Sequence, residues 1–189
     1  MLFNLLYFVI FPIFFSNLSM FEPIQVEKNI TLEYYTGKWY QAATSRSTGL
    51  FGTGIDFKNV TAEYQCIGNC DANNISVYNQ GLDSEGNYRN ISGYSYIEDN
   101  QESGKRKLKF YSLPFIGNYW IAKLGPIIDN QYQYSIVAGP ISTIFGTRFS
   151  LYVLCRDLDQ FRDLYQNKVI NWCQNNGFNF YWNEYVSTV

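Results

Sequence analysis

Residues 35–44 read YTGKWYQAAT, and this stretch decides how the chain is expected to fold. Gly37 stands two residues before Trp39, and glycine permits a sharp bend where a strand begins. Far downstream, residues 154–157 read LCRD and end the last strand of a long series. The two stretches mark the first and last strands of one fold, so the residues between them supply its body.

The residues between these stretches favour antiparallel strands. Apolar side chains alternate with polar ones, and Gly, Asn and Asp interrupt the pattern about every 8 to 12 residues, which is typical of a barrel or a sandwich. The sequence predicts eight strands, at Gly37–Thr44, Asn59–Cys66, Asn74–Gln80, Arg89–Ile97, Lys105–Tyr111, Tyr119–Leu124, Tyr132–Ala138 and Phe149–Cys155.

After the last of these strands the pattern becomes helical. Between Asp157 and Asn176 the apolar residues recur at steps of three and four, which predicts one amphipathic helix with its apolar stripe against the sheet. Asp157 is suited to the N-cap and Gly177 to the C-terminal turn. A short last strand is predicted at Phe178–Tyr185. The expected architecture is therefore all-β with one C-terminal helix.

The N-terminus is typical of an exported protein. Leu2–Phe15 is almost wholly apolar, too short to span a bilayer comfortably, and followed by small polar residues, so we expect a signal peptide at residues 1–19 and one domain at residues 20–189. A core strand or an uncleaved anchor is the alternative. Four Asn-x-Ser/Thr sequons agree with export and predict glycosylation at Asn29, Asn59, Asn74 and Asn90.

Composition limits the chemistry that the chain can perform. The 189 residues carry a formal net charge of −2 and contain no histidine. Without histidine the usual general base and the commonest metal ligand are missing, so we expect no catalytic residue, no metal and no cofactor. There is no basic run of the kind that neutralises phosphates, so nucleic acid is not an expected partner.

The sequence resembles the lipocalin family in several stretches. Gly37-Lys38-Trp39 is similar to the Gly-x-Trp signature of the first lipocalin strand, and Arg156 stands where lipocalins place an arginine. Residues 60–64, 118–122 and 132–140 resemble the second, sixth and seventh strands. The closest similarity is to the branch of apolipoprotein D, the bilin-binding proteins and the bacterial lipocalins. The resemblance implies an eight-stranded up-and-down antiparallel barrel, the lipocalin calyx.

The resemblance also implies how the barrel is closed and what it holds. Gly37, Trp39 and Arg156 would form a structural floor, with the guanidinium over the indole face. On the first and eighth strands, Trp39 and Arg156 indicate which alternate side chains face the barrel interior. On the other strands this assignment is what the resemblance implies. The predicted ligand-binding residues are Gln41, Ala43, Ala62, Tyr64, Val77, Asn79, Ile91, Leu108, Phe110, Tyr119, Ile121, Ser135, Val137, Tyr152 and Leu154. Lys123 is the one charged residue in this phase; as a strand-end lysine it is expected in water, and contact with a ligand carboxylate is the alternative.

Four cysteines in an exported chain predict two disulfides, involving Cys66, Cys70, Cys155 and Cys173. A bridge between Cys66 and Cys70 across a short turn is feasible. It would leave Cys155 to pair with Cys173, although one straight helix would carry Cys173 about 24 Å away along its axis. Many lipocalins instead link the early barrel to the C-terminal segment, so the connectivity stays open.

These features predict a secreted binding protein. The mixed apolar and tyrosine-rich lining suits a fatty acid, a lysophospholipid, a retinoid or a tetrapyrrole-like ligand. We expect a monomer or weak dimer, with membrane or receptor contact at the open rim formed by Ser45–Phe57 and Leu113–Ile116. Two alternatives remain: a lipocalin-fold enzyme that acts on a lipid through a thiol such as Cys66, and a secreted interaction glycoprotein with a filled barrel.

Overall fold

The computed structural model describes residues 24–50, 55–70, 73–98, 101–143, 146–179 and 183–188. The predicted signal peptide at residues 1–19 lies outside the described residues. Within them the chain forms one sheet that closes on itself, a small separate hairpin and a C-terminal helical segment.

The predicted eight-stranded antiparallel barrel is confirmed within the described residues. Consecutive barrel strands pair side by side, and the last pairs with the first, which leaves no open edge between them. The strands are β1 (Gly37–Ser45), β2 (Lys58–Cys66), β3 (Ile75–Leu82), β4 (Tyr88–Ile97), β5 (Lys105–Phe110), β6 (Ile116–Leu124), β9 (Tyr134–Thr143) and β10 (Gly146–Cys155).

Three further strands lie outside this cylinder. β7 (Ile127–Ile128) and β8 (Gln131–Tyr132) form a two-stranded hairpin between β6 and β9. β11 (Tyr185–Ser187) pairs with the C-terminal end of β1. The sequence predicted a last strand at Phe178–Tyr185, but Phe178 packs into a buried cluster and the strand begins only at Tyr185.

Helices occupy both ends of the domain. α1 (Leu32–Tyr35) is a single turn that the sequence did not predict, and a 3₁₀ helix at Arg46–Leu50 follows β1. The one predicted C-terminal helix is wrong in detail. It is two helices, α2 (Leu158–Leu164) and α3 (Gln166–Asn175), because Tyr165 leaves helical geometry at φ −122° and ψ −24°.

The ends of this helical segment match their sequence signals. The Asp157 side chain accepts a hydrogen bond of 2.7 Å from the Gln160 backbone N–H, as an N-cap does. Gly177 adopts φ 85° after α3, where a left-handed residue ends the helix. The segment therefore begins and ends where side-chain chemistry favours it.

Buried side chains form two separate cores. The outer cluster lies between the barrel and the C-terminal helices and contains Ile24, Ala42, Ala43, Ala122, Tyr134, Ile136, Ala138, Leu151, Val153, Cys155, Phe161, Val169, Cys173 and Phe178. The inner cluster contains Leu32, Tyr35, Trp39, Ala62, Tyr64, Ile75, Val77, Phe110, Tyr119, Ile121, Tyr132, Val137 and Leu154. The separation follows the strands, whose successive side chains point to opposite faces.

One of the two predicted disulfides is present. Cys66 and Cys70 are bonded across the turn that follows β2. The prediction that Cys155 and Cys173 are also disulfide-bonded is wrong: both are free thiols. They lie fully buried in the outer cluster, one on β10 and one on α3, where each thiol fills apolar space as a small hydrophobic group.

The sequon asparagines lie at or near the surface. Asn29, Asn59 and Asn90 are exposed, and Asn74 is half-buried at the start of β3. Asn74 borders a shallow groove on the outside of the barrel together with Ile67, Tyr94, Tyr96 and Ile97. Glycosylation at these four positions remains a prediction.

Candidate ligand-binding cavity

The floor of the barrel is built at the start of β1. Gly37 adopts φ 90°, a conformation that L side chains rarely take, and this turns the chain from α1 into the strand. Trp39 is then fully buried inside the barrel, and its indole N–H donates a hydrogen bond of 2.8 Å to the Tyr35 carbonyl. The bend and the indole together close this end.

Arg156 completes the floor from the end of β10. Its guanidinium carbon lies 3.7 Å from the centre of the Trp39 ring, which is a close cation–π contact. Its N–H groups donate to backbone carbonyls on α1, β1 and β8, namely those of Tyr34, Tyr35, Thr36, Lys38 and Tyr132. The carbonyls at the end of α1 lack helical partners, so one side chain satisfies several of them.

Above this floor the barrel is hollow. A cavity of about 470 Å³ opens at the other end of the barrel, and its size suits a small organic ligand. Ten of the predicted ligand-binding residues form part of its wall: Gln41, Ala62, Tyr64, Asn79, Ile91, Leu108, Phe110, Tyr119, Tyr152 and Leu154.

The other five predicted residues are not in the cavity wall. Val77, Ile121 and Val137 are buried in the inner cluster with Trp39. Ser135 is also fully buried, and its hydroxyl lies 3.1 Å from the Tyr35 hydroxyl. These residues point inward as expected, but they pack among themselves and help to fill the closed end.

Ala43 is the exception, because its expected inward orientation is wrong. The pairing of β1 with β10 shifts register between Gln41 and Ala43. This irregularity reverses the alternation, since an extra residue in one strand moves every later side chain to the other face. Ala43 therefore pairs with Val153 and lies in the outer cluster.

Several wall residues lie outside the predicted set. Strand parity places Ser150 inward in the phase of Tyr152, and it could also have found Val60, which shares its phase with Ala62. The rest come from the mouth of the cavity, where strand ends and loops meet and alternation gives no signal. They are Phe57, Gln80, Arg89, Asn90, Phe115, Ile116, Gly117, Asn118, Pro140 and Ile141.

A chain of hydroxyl groups crosses the inner end of the cavity. Ser135 contacts Tyr35, and the Tyr35 hydroxyl lies 2.9 Å from that of Tyr119. The Tyr119 hydroxyl donates to that of Tyr64 at 2.9 Å. Burial raises the pKa of Tyr35, and raises the pKa values of Tyr64 and Tyr119 well above the ordinary value, so all three phenols are protonated at neutral pH.

Lys123 is solvent-exposed, as a strand-end lysine is expected to be, and the buried interior cation is a different residue. Lys123 follows a register shift in β6 and forms an ion pair of 3.6 Å with Glu27, with 44% of its side chain exposed. Arg106 on β5 instead points inward in the phase of Leu108 and is fully buried. It donates to the Ser95 hydroxyl and to the carbonyls of Ser95 and Asn73.

The described residues show neither a metal-binding cluster nor a membrane-spanning helix. These residues contain no group of three or more side chains of the types that hold a metal ion. None of the helices formed by these residues has the length and apolar content needed to cross a membrane. The candidate site among the described residues is the cavity inside the barrel, with its wall of apolar and tyrosine side chains.

The closed barrel, the plugged floor and the hollow interior together define a lipocalin-type fold. Residues 30–183 match the family model described as a lipocalin-like domain, and the chain belongs to this family. Within it, the chain is 32% identical over 124 residues to the outer membrane lipoprotein Blc of Vibrio cholerae, across 65% of this chain and 66% of that protein. This match spans just under two thirds of the Vibrio protein.

Two other similarities agree with this assignment. The chain is 29% identical over 153 residues to temperature-induced lipocalin-1 of Arabidopsis thaliana, across 77% of this chain and 73% of that protein. Its fold is similar to that of insecticyanin from the tobacco hornworm Manduca sexta, with a TM-score of 0.64 at 17% identity, across 88% and 84% of the two chains. At this identity the last comparison concerns the fold alone.

Proposed function

We propose that this protein is a secreted carrier that binds one small hydrophobic molecule inside its barrel. The observation that carries the proposal is the cavity of about 470 Å³ above the Trp39–Arg156 floor. An apolar wall with a few polar groups is the usual composition of a small-molecule site. Transfer of an apolar ligand from water into this space is favoured by the hydrophobic effect.

The alternatives receive less support from the described residues. A thiol enzyme would need a free cysteine in the cavity, but Cys66 is bonded to Cys70, and Cys155 and Cys173 lie in the outer cluster. A filled barrel would need large side chains across the middle, whereas the wall includes Ala62, Gly117 and Ser150. Small wall residues leave the space that a ligand requires.

We place the ligand entrance at the rim that carries Phe115 and Ile116. Both residues form part of the cavity wall, and they are 39% and 54% exposed. Apolar side chains that are exposed beside a cavity can contact a membrane or a receptor during loading. Membrane or receptor contact at this rim is part of the proposal, as are export and a monomeric or weakly dimeric state.

The experiment is native mass spectrometry of the protein purified from the medium of a eukaryotic secretion system. We expect a complex with one copurified apolar molecule, whose mass is then identified after organic extraction. The delipidated protein should rebind that molecule with one-to-one stoichiometry. A protein that carries nothing and binds no fatty acid, lysophospholipid, retinoid or tetrapyrrole would contradict the proposal.

A further inference from the structure

The hydroxyl chain at the inner end of the cavity has a direction. Each hydroxyl has one hydrogen to donate, and that of Tyr119 goes to Tyr64. Tyr119 must then accept from Tyr35, and Tyr35 from Ser135, at 2.9 and 3.1 Å. The hydrogen of Tyr64 is the last one, and no residue that the structure describes accepts it. The chain thus ends on an unused donor in the cavity wall.

Two cations lie around this chain, the buried Arg106 and the half-buried Arg156. Arg106 is fully buried, and its Nη1 has no hydrogen-bond partner in the described part of the protein. The N–H groups of Arg156 donate hydrogen bonds to backbone carbonyls. Neither guanidinium has a carboxylate within 4.0 Å among residues 24–50, 55–70, 73–98, 101–143, 146–179 and 183–188.

A buried cation without a counter-charge is costly, and a nearby anion offsets that cost. Arg106 acts electrostatically on Tyr119 and Tyr35, and Arg156 acts on Tyr64, so the two charges together favour negative charge at this end of the cavity. A polarised chain of hydroxyls strengthens the donor at its end. The inner end of the cavity therefore combines a free donor with positive charge and lacks an acceptor.

We propose that this inner end binds the carboxylate of a monocarboxylic amphiphile, whose apolar chain extends along the cavity to the mouth. The carboxylate accepts from the Tyr64 hydroxyl and lies in the field of Arg106. The Tyr152 hydroxyl, which lacks a hydrogen-bond partner in the described structure, is a further donor from the same wall. This inference rests on the proposed carrier function, and it specifies the class of ligand and its direction.

The opposite direction would place the carboxylate at the mouth, near Arg89. That guanidinium is 60% exposed and already forms an ion pair of 2.8 Å with Asp83. An exposed and compensated cation has less to gain from a ligand anion than a buried one does, since water and Asp83 already stabilise it. The charges of the described residues thus favour the inner end.

The test uses delipidated full-length mature protein at about pH 8, where a fatty acid is anionic. Dodecanoic acid, methyl dodecanoate and dodecan-1-ol compete in turn against N-phenyl-1-naphthylamine, a neutral fluorescent probe. These ligands share a chain and differ in the head group. We expect the acid to bind about tenfold more tightly than the ester or more, because a charged acceptor strengthens the hydrogen bond.

Variants then locate the head group. Tyr64→Phe keeps the ring and removes the last donor, so we expect about a tenfold loss for the acid and little change for the ester. Arg106→Lys should keep the preference for the acid, and Arg106→Met should lose it. Tyr78→Phe, on the outer face of the barrel, is the matched control and should match the wild type.

The outcomes separate this inference from the carrier function. Equal affinities for acid and ester would overturn the carboxylate assignment and leave the carrier function intact. Loss of the preference in Arg89→Gln, with Tyr64→Phe unaffected, would overturn the inward direction. If N-phenyl-1-naphthylamine and all three ligands fail to bind, the carrier function fails and this inference fails with it.

Discussion

The guanidinium carbon of Arg156 lies 3.7 Å above the Trp39 ring and joins the last barrel strand to the first. The planar guanidinium also donates hydrogen bonds to five backbone carbonyls, and the single ammonium group of lysine cannot reproduce this set of contacts. We expect Arg156→Lys to lower the free energy of unfolding by about 3 kcal/mol. Urea denaturation followed by circular dichroism measures this change.

Arg162→Ala is the control for that variant. Arg162 forms an exposed ion pair with Asp159, with 52% and 86% of the two side chains accessible, so its loss should change stability by less than about 0.5 kcal/mol. If Arg156→Lys were as stable as Arg162→Ala, the role assigned to the guanidinium fork would be wrong.

Gly37→Ala tests the bend that leads into β1. At φ 90° an alanine would be strained, and its Cβ would lie 3.4 Å from Nη1 of Arg156. We expect a loss of about 1–2 kcal/mol in the free energy of unfolding. In Gly117→Ala the nearest atom would be 3.9 Å away without a positive φ, so stability should be unchanged or slightly higher. Equal effects of the two substitutions would refute the backbone argument.

The two free cysteines should be unreactive in the folded protein. Burial raises the pKa values of Cys155 and Cys173 to about 12, so on the order of one thiol in ten thousand is a thiolate at about pH 8. We expect no reaction with a thiol reagent until denaturant is added, and then two thiols without reductant. Fast native labelling, or none after denaturation, would show that the cysteine assignment is wrong.

Tyrosines whose pKa values are raised by burial should limit stability at alkaline pH. Burial raises the pKa of Tyr185 to about 12 and also raises those of Tyr35, Tyr64, Tyr119 and Tyr152. The folded state keeps these protons at pH values where the unfolded state releases them. Their contribution to the free energy of unfolding is therefore full below about pH 10, and it is lost as the pH rises through the pKa values of the folded state.

Phenolate absorbance and circular dichroism, recorded together, check this prediction. The tyrosines whose pKa values are raised should ionise only together with the loss of the barrel signal. Ionisation of every tyrosine in one step while the barrel signal is retained would contradict it.

The sequence predicted what depends on alternation and on local signals. The eight strands, the Gly37 bend and the Asp157 cap follow from residue spacing and turn chemistry, because these are properties of neighbouring residues. Ala43 was misplaced because it follows a register shift in the pairing of β1 with β10. Such a shift depends on pairing with a distant strand rather than on the local pattern.

Arg106 was missed for a different reason. Its phase matched that of Leu108, but arginine is rarely fully buried, and the sequence does not show the Ser95 and Asn73 oxygens that accept from it. The break at Tyr165 was invisible as well, because the apolar stripe continues through it. Long-range partners thus explain these errors.

The central claim is that the barrel is hollow and binds its ligand in the cavity above the floor. Leu108→Trp tests it, because Leu108 faces the cavity opposite Gly117 and the larger ring would occupy the ligand space. Its neighbour Lys107 has the opposite strand phase and forms an ion pair with the exposed Glu98, so Lys107→Trp is the matched control. The measurement is the stoichiometry of bound N-phenyl-1-naphthylamine by native mass spectrometry. We predict one molecule in the wild type and in Lys107→Trp and none in Leu108→Trp; undiminished binding by Leu108→Trp would contradict the claim.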